Sequence, residues 1–78
     1  MSTLEESLRQ ELAATNDDYR RLFQSHRDHD RRLEALNRKD FFSRQDEVEE
    51  KRIKLTKLHL KDQMEAIFQA AQSTAAGS

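Results

Sequence analysis

The residues whose types and spacing could support chemistry are His26, His29 and Asp30. Steps of three and four residues place all three side chains on one side of a helix. Two imidazoles and a carboxylate suit a divalent transition metal, but a structural zinc site usually takes four protein ligands. The remaining histidine, His59, is predicted to point away from this cluster. We therefore expect no metal or other cofactor, and we interpret His26 and His29 as polar spacers in a helical seam.

The same cluster leads to hypotheses about register and pH. Polar residues within an apolar seam select its register and partner at a cost in stability, and Asp62 also falls among apolar positions. In the pH hypothesis, His26 lies close to Lys57 in a facing helix, and Asp30 accepts a hydrogen bond from the imidazole one turn away. Because an unperturbed histidine titrates near pH 6.5, assembly should then change between about pH 5 and 8.

The composition excludes several classes of protein. The chain has 78 residues, of which 37% are charged, and it has no cysteine, so it is not a disulfide scaffold. No apolar run approaches the ~20 residues of a membrane span, and no signal peptide is recognisable, so we expect a cytoplasmic protein without a membrane partner. Paired carboxylates, a Ser–His–Asp arrangement and a glycine-rich phosphate loop are all missing from the sequence. We therefore expect that the chain is not an enzyme.

The sequence predicts an all-α fold. It lacks proline, its single glycine is Gly77, and residues that favour helix dominate. A Ser or Thr followed three residues later by an acid marks each helix start, at Ser2 and Glu5, Thr15 and Asp18, and Ser43 and Asp46. We predict one helical domain over residues 1–71, with helices at about 3–14, 17–38 and 44–71, and a flexible tail at 72–78.

Alternating steps of four and three residues run through the first half of the chain. The residues at these positions are apolar at both ends and polar at the centre: Leu8, Leu12, Thr15, Tyr19, Leu22, His26, His29, Leu33 and Leu36. The repeat continues unbroken through Thr15. It therefore favours one long helix, or a gentle kink, where the first two helices meet.

A turn near residues 39–43 would fold the second and third helices into an antiparallel, coiled-coil-like hairpin with an N-terminal helical extension. In the hairpin, facing positions have numbers that add up to about 83, so that Tyr19 lies opposite Met64 and Phe23 opposite Leu60. Apolar side chains then meet along most of the length. We expect Phe41 and Phe42, at the turn, to close the open end of the hairpin; the alternative is that one of them is an exposed contact for a partner.

The third helix carries two apolar faces. Val48, Leu55 and Leu58 lie roughly opposite a face that is formed by Ile53, Leu60, Met64, Ile67 and Ala71. Two faces imply two neighbours, so we expect the hairpin to assemble with itself into a helical bundle, as a dimer or tetramer. The residues expected to carry packing and self-association are Leu8, Leu12, Tyr19, Leu22, Phe23, Leu33, Leu36, Leu55, Leu58, Leu60, Met64, Ile67 and Phe68.

Charge is distributed in blocks. Residues 19–39 carry seven bases and three acids, residues 51–61 carry five bases and no acid, and the hairpin places these blocks opposite each other. The resulting basic band could bind phosphates, as in a nucleic-acid-associated protein, through Arg20, Arg27, Arg31, Lys51, Lys54, Lys57 and Lys61. Against this, the net charge is only −1 and the acidic residues 1–18 could neutralise the band.

Several of these residues resemble the pattern of the YdcH-like proteins, a family of small bacterial helical hairpins of unknown function. Leu22 and Phe23 are followed by His26 and Asp30, and the distal stretch Lys-Leu-His-Leu-Lys-Asp covers residues 57–62. The resemblance spans about residues 17–70; Gln63 and Met64 depart from the acid and aliphatic residue that are more typical. It implies a self-associating hairpin with no assigned activity.

We therefore predict a self-associating hairpin that acts as a protein-interaction or scaffolding module. The partner would be a second copy or another protein. Nucleic-acid binding through the basic band is the alternative.

Overall fold

The computed structural model describes residues 3–77, and the side chains of residues 3–74. This part of the chain forms three helices and no strand: α1 (Leu4–Thr15), α2 (Asp17–Asn37) and α3 (Arg44–Gly77). The all-α prediction is confirmed. None of the three described helices contains an apolar stretch long enough to cross a bilayer.

Helices α2 and α3 form an antiparallel hairpin, joined by residues 38–43. Arg32 Nη2 lies 2.8 Å from Glu49 Oε1, and Asp30 pairs with Lys57 further along. The residue numbers in these two pairs add up to 81 and 87, whereas the predicted register gives about 83. Leu36 of α2 and Ile53 of α3 are buried between the helices, as expected from the apolar pattern on facing sides.

The helix starts are set by side-chain caps. Thr3 Oγ1 accepts a hydrogen bond from the Glu6 backbone N–H, one residue later than predicted, and Ser2 lies outside the described residues. At α3 the predicted capping box is confirmed: the Ser43 backbone N–H donates to Asp46 Oδ2 at 2.9 Å, and the Asp46 N–H donates to Ser43 Oγ at 3.1 Å.

Helices α1 and α2 are separate, so the one long helix that the repeat of fours and threes favours is not formed. Asn16 has an extended backbone, with φ −106° and ψ 113°, which no helix accommodates. Its side chain accepts a hydrogen bond from the Tyr19 N–H at 2.9 Å, and its own N–H donates to Leu12 O at 2.8 Å. Asn16, rather than Thr15, therefore caps α2, because a short amide side chain satisfies the free N–H groups at a helix start.

Helix α1 folds onto the open end of the hairpin and completes the main core. Leu12, Tyr19 and Phe68 are buried against one another, one from each helix. Half-buried apolar residues surround them: Leu8, Ala13, Met64, Ile67 and Ala71. The apolar contact between the first and third helices is therefore made by a helix that turns at Asn16.

The far end of α3 also differs from the prediction. The helix continues to Gly77 instead of ending at residue 71, so residues 72–77 of the predicted tail are helical; Ser78 lies outside the described residues. Alanine at positions 70, 71, 75 and 76 favours helix intrinsically, and no proline stops it.

The two phenylalanines of the connection do different things. Phe42 is half-buried, whereas the side chain of Phe41 is 80% exposed. The expectation that both close the hairpin end is therefore wrong for Phe41. The connection is already ordered by the Ser43 and Asp46 hydrogen bonds, and by an ion pair of 2.8 Å between Lys39 Nζ and Asp46 Oδ1, without Phe41.

Candidate functional site

One face of α3 has apolar side chains that nothing in the described structure covers. Val48, Leu55 and Leu58 are 52%, 55% and 53% exposed. On the opposite face of the same helix, Ile53 and Phe68 are each only 3% exposed. The helix thus has an inner face, packed on α2 and α1, and an outer face that is open.

The residues that were predicted to carry packing or self-association differ in how far they are buried. Leu12, Tyr19, Leu36 and Phe68 are buried, while Leu8, Leu22, Leu33, Leu60, Met64 and Ile67 are half-buried. Leu55 and Leu58 make no core contact within the described chain, and Phe23 is 37% exposed. All three were predicted to carry packing or self-association; within the described chain Leu55 and Leu58 remain available for self-association, whereas most of Phe23 is covered.

Charged residues interrupt the exposed apolar face at the same spacing. Arg44, Lys51 and Asp62 continue the steps of four and three residues set by Val48, Leu55 and Leu58. All three charged residues are exposed. We call these six residues the outer seam.

The histidine cluster does not form a metal site. His29 Nδ1 lies 2.7 Å from Ser25 O, so this ring is turned toward the carbonyl of its own helix. Among the side chains of residues 3–74, no three His, Asp or Glu groups are placed to hold a metal ion. The metal interpretation therefore has no geometric support. His59 is exposed on α3.

Asp30 lies between His26 and Lys57. Its Oδ2 is 3.5 Å from His26 Nδ1, and its Oδ1 pairs with Lys57 Nζ. The hydrogen bond from Lys57 is the main reason that the pKa of Asp30 falls below its usual value, and the charge of His26 contributes less. This arrangement links α2 to α3. Its effect on assembly between pH 5 and 8 stays a prediction, and so does the role of exposed Asp62 in register.

The basic band is largely neutralised by acids close by. Lys57 pairs with Asp30, Lys54 with Glu50, Arg31 with Asp28, and Arg20 with Asp17. Only the last of these acids belongs to the N-terminal block that was expected to neutralise the band. Within residues 3–74, no ion pair involves the other three members, which are Arg27, Lys51 and Lys61. Arg27 instead lies 5.8 Å from the ring centre of Phe23.

A half-open groove, which was not predicted, lies where α1 crosses the hairpin. Its volume is about 370 Å³. The apolar surface comes from Ala13, Tyr19, Phe23 and Met64, and the polar rim comes from Arg9, Gln10, His26, Lys61 and Glu65. The groove exists because α1 turns back at Asn16, so it depends on the break that the apolar repeat concealed.

Arg9 is the polar contact between α1 and α3. Its guanidinium carbon lies 4.0 Å from the ring centre of Phe68, and its Nη2 donates to Glu65 Oε2 at 2.9 Å. Burial acts to lower the pKa of Arg9, but its hydrogen bonds, first of all that to Glu65, raise the pKa by more. The same contact lowers the pKa of Glu65. Arg9 was not among the predicted site residues.

The comparisons with known proteins concern the hairpin. A family model described as "Protein of unknown function (DUF465)" matches residues 20–68, from the first turn of α2 to the buried Phe68 of α3. No curated protein and no solved structure is significantly similar to the chain. The match covers more than half of the sequence, and YdcH-like proteins belong to the same family, which confirms the resemblance. The chain therefore belongs to the DUF465 family of proteins of unknown function.

Proposed function

We propose that the chain is a self-associating helical module, and that the outer seam is the surface on which a second copy docks. The observation that carries this proposal is the contrast along α3. Three aliphatic side chains are more than half exposed in one line, while the opposite face of the helix is buried. Covering the exposed half of each of these side chains would contribute up to about half of the roughly 1.5–3 kcal/mol that full burial is worth.

The small core supports the proposal. Within the described chain only five apolar side chains are buried: Leu12, Tyr19, Leu36, Ile53 and Phe68. A domain of fewer than about 80 residues gains little stability from such a core, and association is one of the usual ways to add to it. A second copy on the outer seam would extend the core without changing the hairpin.

The test is light scattering after size-exclusion chromatography, on untagged protein at low salt. Concentration is followed by refractive index, since the chain has no tryptophan and one tyrosine. We expect the mass of a dimer or tetramer for the wild type and of a helical monomer for Leu55→Asp. Gln63→Asp, at an exposed position of α3 outside the seam, is the control and should keep the wild-type mass. A monomeric wild type would overturn the proposal.

The same experiment tests the alternative function, nucleic-acid association. Four of the seven band residues already have acidic partners, which argues against a surface built for phosphates. Binding to phosphates would fall steeply with salt, whereas apolar assembly would not. A peak dominated by absorbance at 260 nm, which high salt removes, would favour the basic band over the outer seam.

A further inference from the structure

Building on this self-association, we propose that two copies dock through antiparallel α3 helices and that each copy places Phe41 in the groove of the other. In this alignment Val48 faces Leu58 of the second copy, and Lys51 faces its Leu55. The proposal accounts for three exposed features together: the outer seam, the aromatic side chain at the hairpin tip, and the half-open groove.

The spacing of the seam determines which residues can face each other. Alternating steps of four and three residues define the a and d positions of a heptad repeat. In an antiparallel pair of helices, an a position of one helix lies opposite a d position of the other. Val48 and Leu55 are at a positions, while Lys51 and Leu58 are at d positions. Val48 therefore meets Leu58 twice in a symmetric pair. The aliphatic stem of Lys51 covers Leu55, and its charged end reaches water.

The charges favour this direction over the parallel one. In the antiparallel alignment Arg44 faces Asp62 of the second copy, and Glu47 flanks its Lys61. A parallel pair would instead put Arg44, Lys51 and Asp62 each against its own copy, and like charges in an interface are unfavourable. Near the two-fold axis Lys54 and Arg52 each approach their own copy on opposite sides of the seam. Glu50 Oε1 lies 3.7 Å from Lys54 Nζ and offsets the charge of Lys54.

The hairpin tip and the groove meet in the same alignment. Phe41 lies in the connection, three residues before α3 begins at Arg44. Because Arg44 faces Asp62 of the second copy, Phe41 lies beyond that pair, toward Glu65 of the second copy. Glu65 stands on the groove rim, above the apolar surface of Phe23 and Met64. A groove of about 370 Å³ is within the size range of pockets that hold small ligands, so it accommodates one aromatic ring.

Disulfide trapping tests the direction, because the chain has no cysteine of its own. We expect Val48→Cys mixed with Leu58→Cys to form the mixed disulfide on oxidation. Val48→Cys alone should not cross-link, since its two copies would lie about 15 Å apart along the axis, and a disulfide needs Cα atoms within about 7 Å. Efficient cross-linking of Val48→Cys alone would overturn the antiparallel alignment.

The mass of the reduced variants separates the two proposals. If both variants and the wild type are monomers, self-association itself fails. If they are dimers that cross-link as parallel pairs, only the alignment fails.

A charge reversal tests the facing of Arg44 and Asp62. Arg44→Asp should weaken the dimer several-fold, and adding Asp62→Arg should restore its affinity. A double variant no tighter than the single one would contradict the facing of these two residues.

The placement of Phe41 has its own test. Phe41→Ala should raise the dimer dissociation constant at least about tenfold, because aromatic side chains that fill pockets carry much of the binding energy. Its neighbour Asp40→Ala is the control and should change the constant less than about twofold. The stability of the isolated hairpin should not change, since Phe41 is exposed there. An unchanged dissociation constant for Phe41→Ala would remove Phe41 from the groove.

Discussion

The inner and outer faces of α3 both carry apolar residues at helical spacing, but their surroundings differ. Ile53 and Phe68 on the inner face are buried, while Leu55 and Leu58 on the outer face, which charged residues interrupt, are open to water. The difference comes from the rest of the chain. Helices α1 and α2 together cover one face of α3, and residues 3–77 form no further helix to cover the other.

This contrast shows what an apolar repeat specifies. A row of apolar residues on one face of a helix indicates that this face packs against something, but it does not indicate whether the partner belongs to the same chain. The inner face of α3 packs within the described chain, and the outer face does not. We therefore expect the inner face to determine the free energy of unfolding and the outer face to determine association.

The largest difference in helix content is expected when aspartate replaces each of two leucines that lie two residues apart on different faces of α3. Leu60→Asp puts a charged carboxylate into the half-buried apolar packing of the inner face, so we expect loss of most helical structure. Leu58→Asp, on the outer face, should leave a helical monomer. Circular dichroism at 222 nm and light scattering give the two readouts. Equal loss of helix in both variants would mean that the outer face is needed for the hairpin itself.

Shortening one side chain on each face of α3 should change the free energy of unfolding by different amounts. Phe68→Ala removes the largest contact between α1 and α3, and we expect it to lower the free energy of unfolding by about 3–5 kcal/mol. Leu55→Ala should lower it by less than about 1 kcal/mol when protein is dilute enough to be monomeric. Urea unfolding followed by circular dichroism measures both. Similar losses at that dilution would contradict the division.

A smaller effect is expected at the start of α2. Asn16→Ala removes the side-chain acceptor for the Tyr19 N–H, and such a loss costs about 1 kcal/mol. Because Asn16 directs α1 to the inner face, the free energy of unfolding should fall while association through the outer face persists. Asn16→Asp keeps the acceptor and serves as the control. A destabilised Asn16→Asp variant would mean that the amide acts in some other way.

The smallest effect concerns the hairpin turn at acid pH. Hydrogen bonds from Lys39 and from the Ser43 N–H lower the pKa of Asp46 from 3.8 to about 2. A carboxyl with a lowered pKa in the folded state stabilises the fold above its unfolded pKa, and this contribution is lost as pH falls from about 4 to about 2. Unfolding of Asp46→Asn should therefore depend less on pH in this window than that of the wild type.

The control for this pH dependence is Asp40→Asn, which removes an exposed charge from the same connection. It should follow the wild-type curve. Titration of the Asp46 carboxyl by nuclear magnetic resonance gives a direct check. A midpoint near the ordinary value of about 3.9 would mean that the turn does not hold this carboxylate.

The sequence predicted the features that depend on neighbouring residues. The hairpin and the Ser43 and Asp46 capping box follow from local spacing and from the match of two apolar faces. The sequence left open whether the first two helices are continuous, because the repeat through Thr15 is as regular as in a continuous helix; in the structure the Asn16 cap separates them. The groove and the Arg9 contact could not be predicted, because both result from the direction in which α1 turns.

The Arg9 contact also bears on the order in which the chain folds. Its partner Glu65 is 56 residues away, whereas the α2–α3 hairpin closes across a connection of residues 38–43. Closing the longer loop costs more chain entropy unless the hairpin has already shortened it. We therefore expect α1 to dock after the hairpin has formed, and to be the first helix whose amides exchange with deuterium when the native protein opens locally.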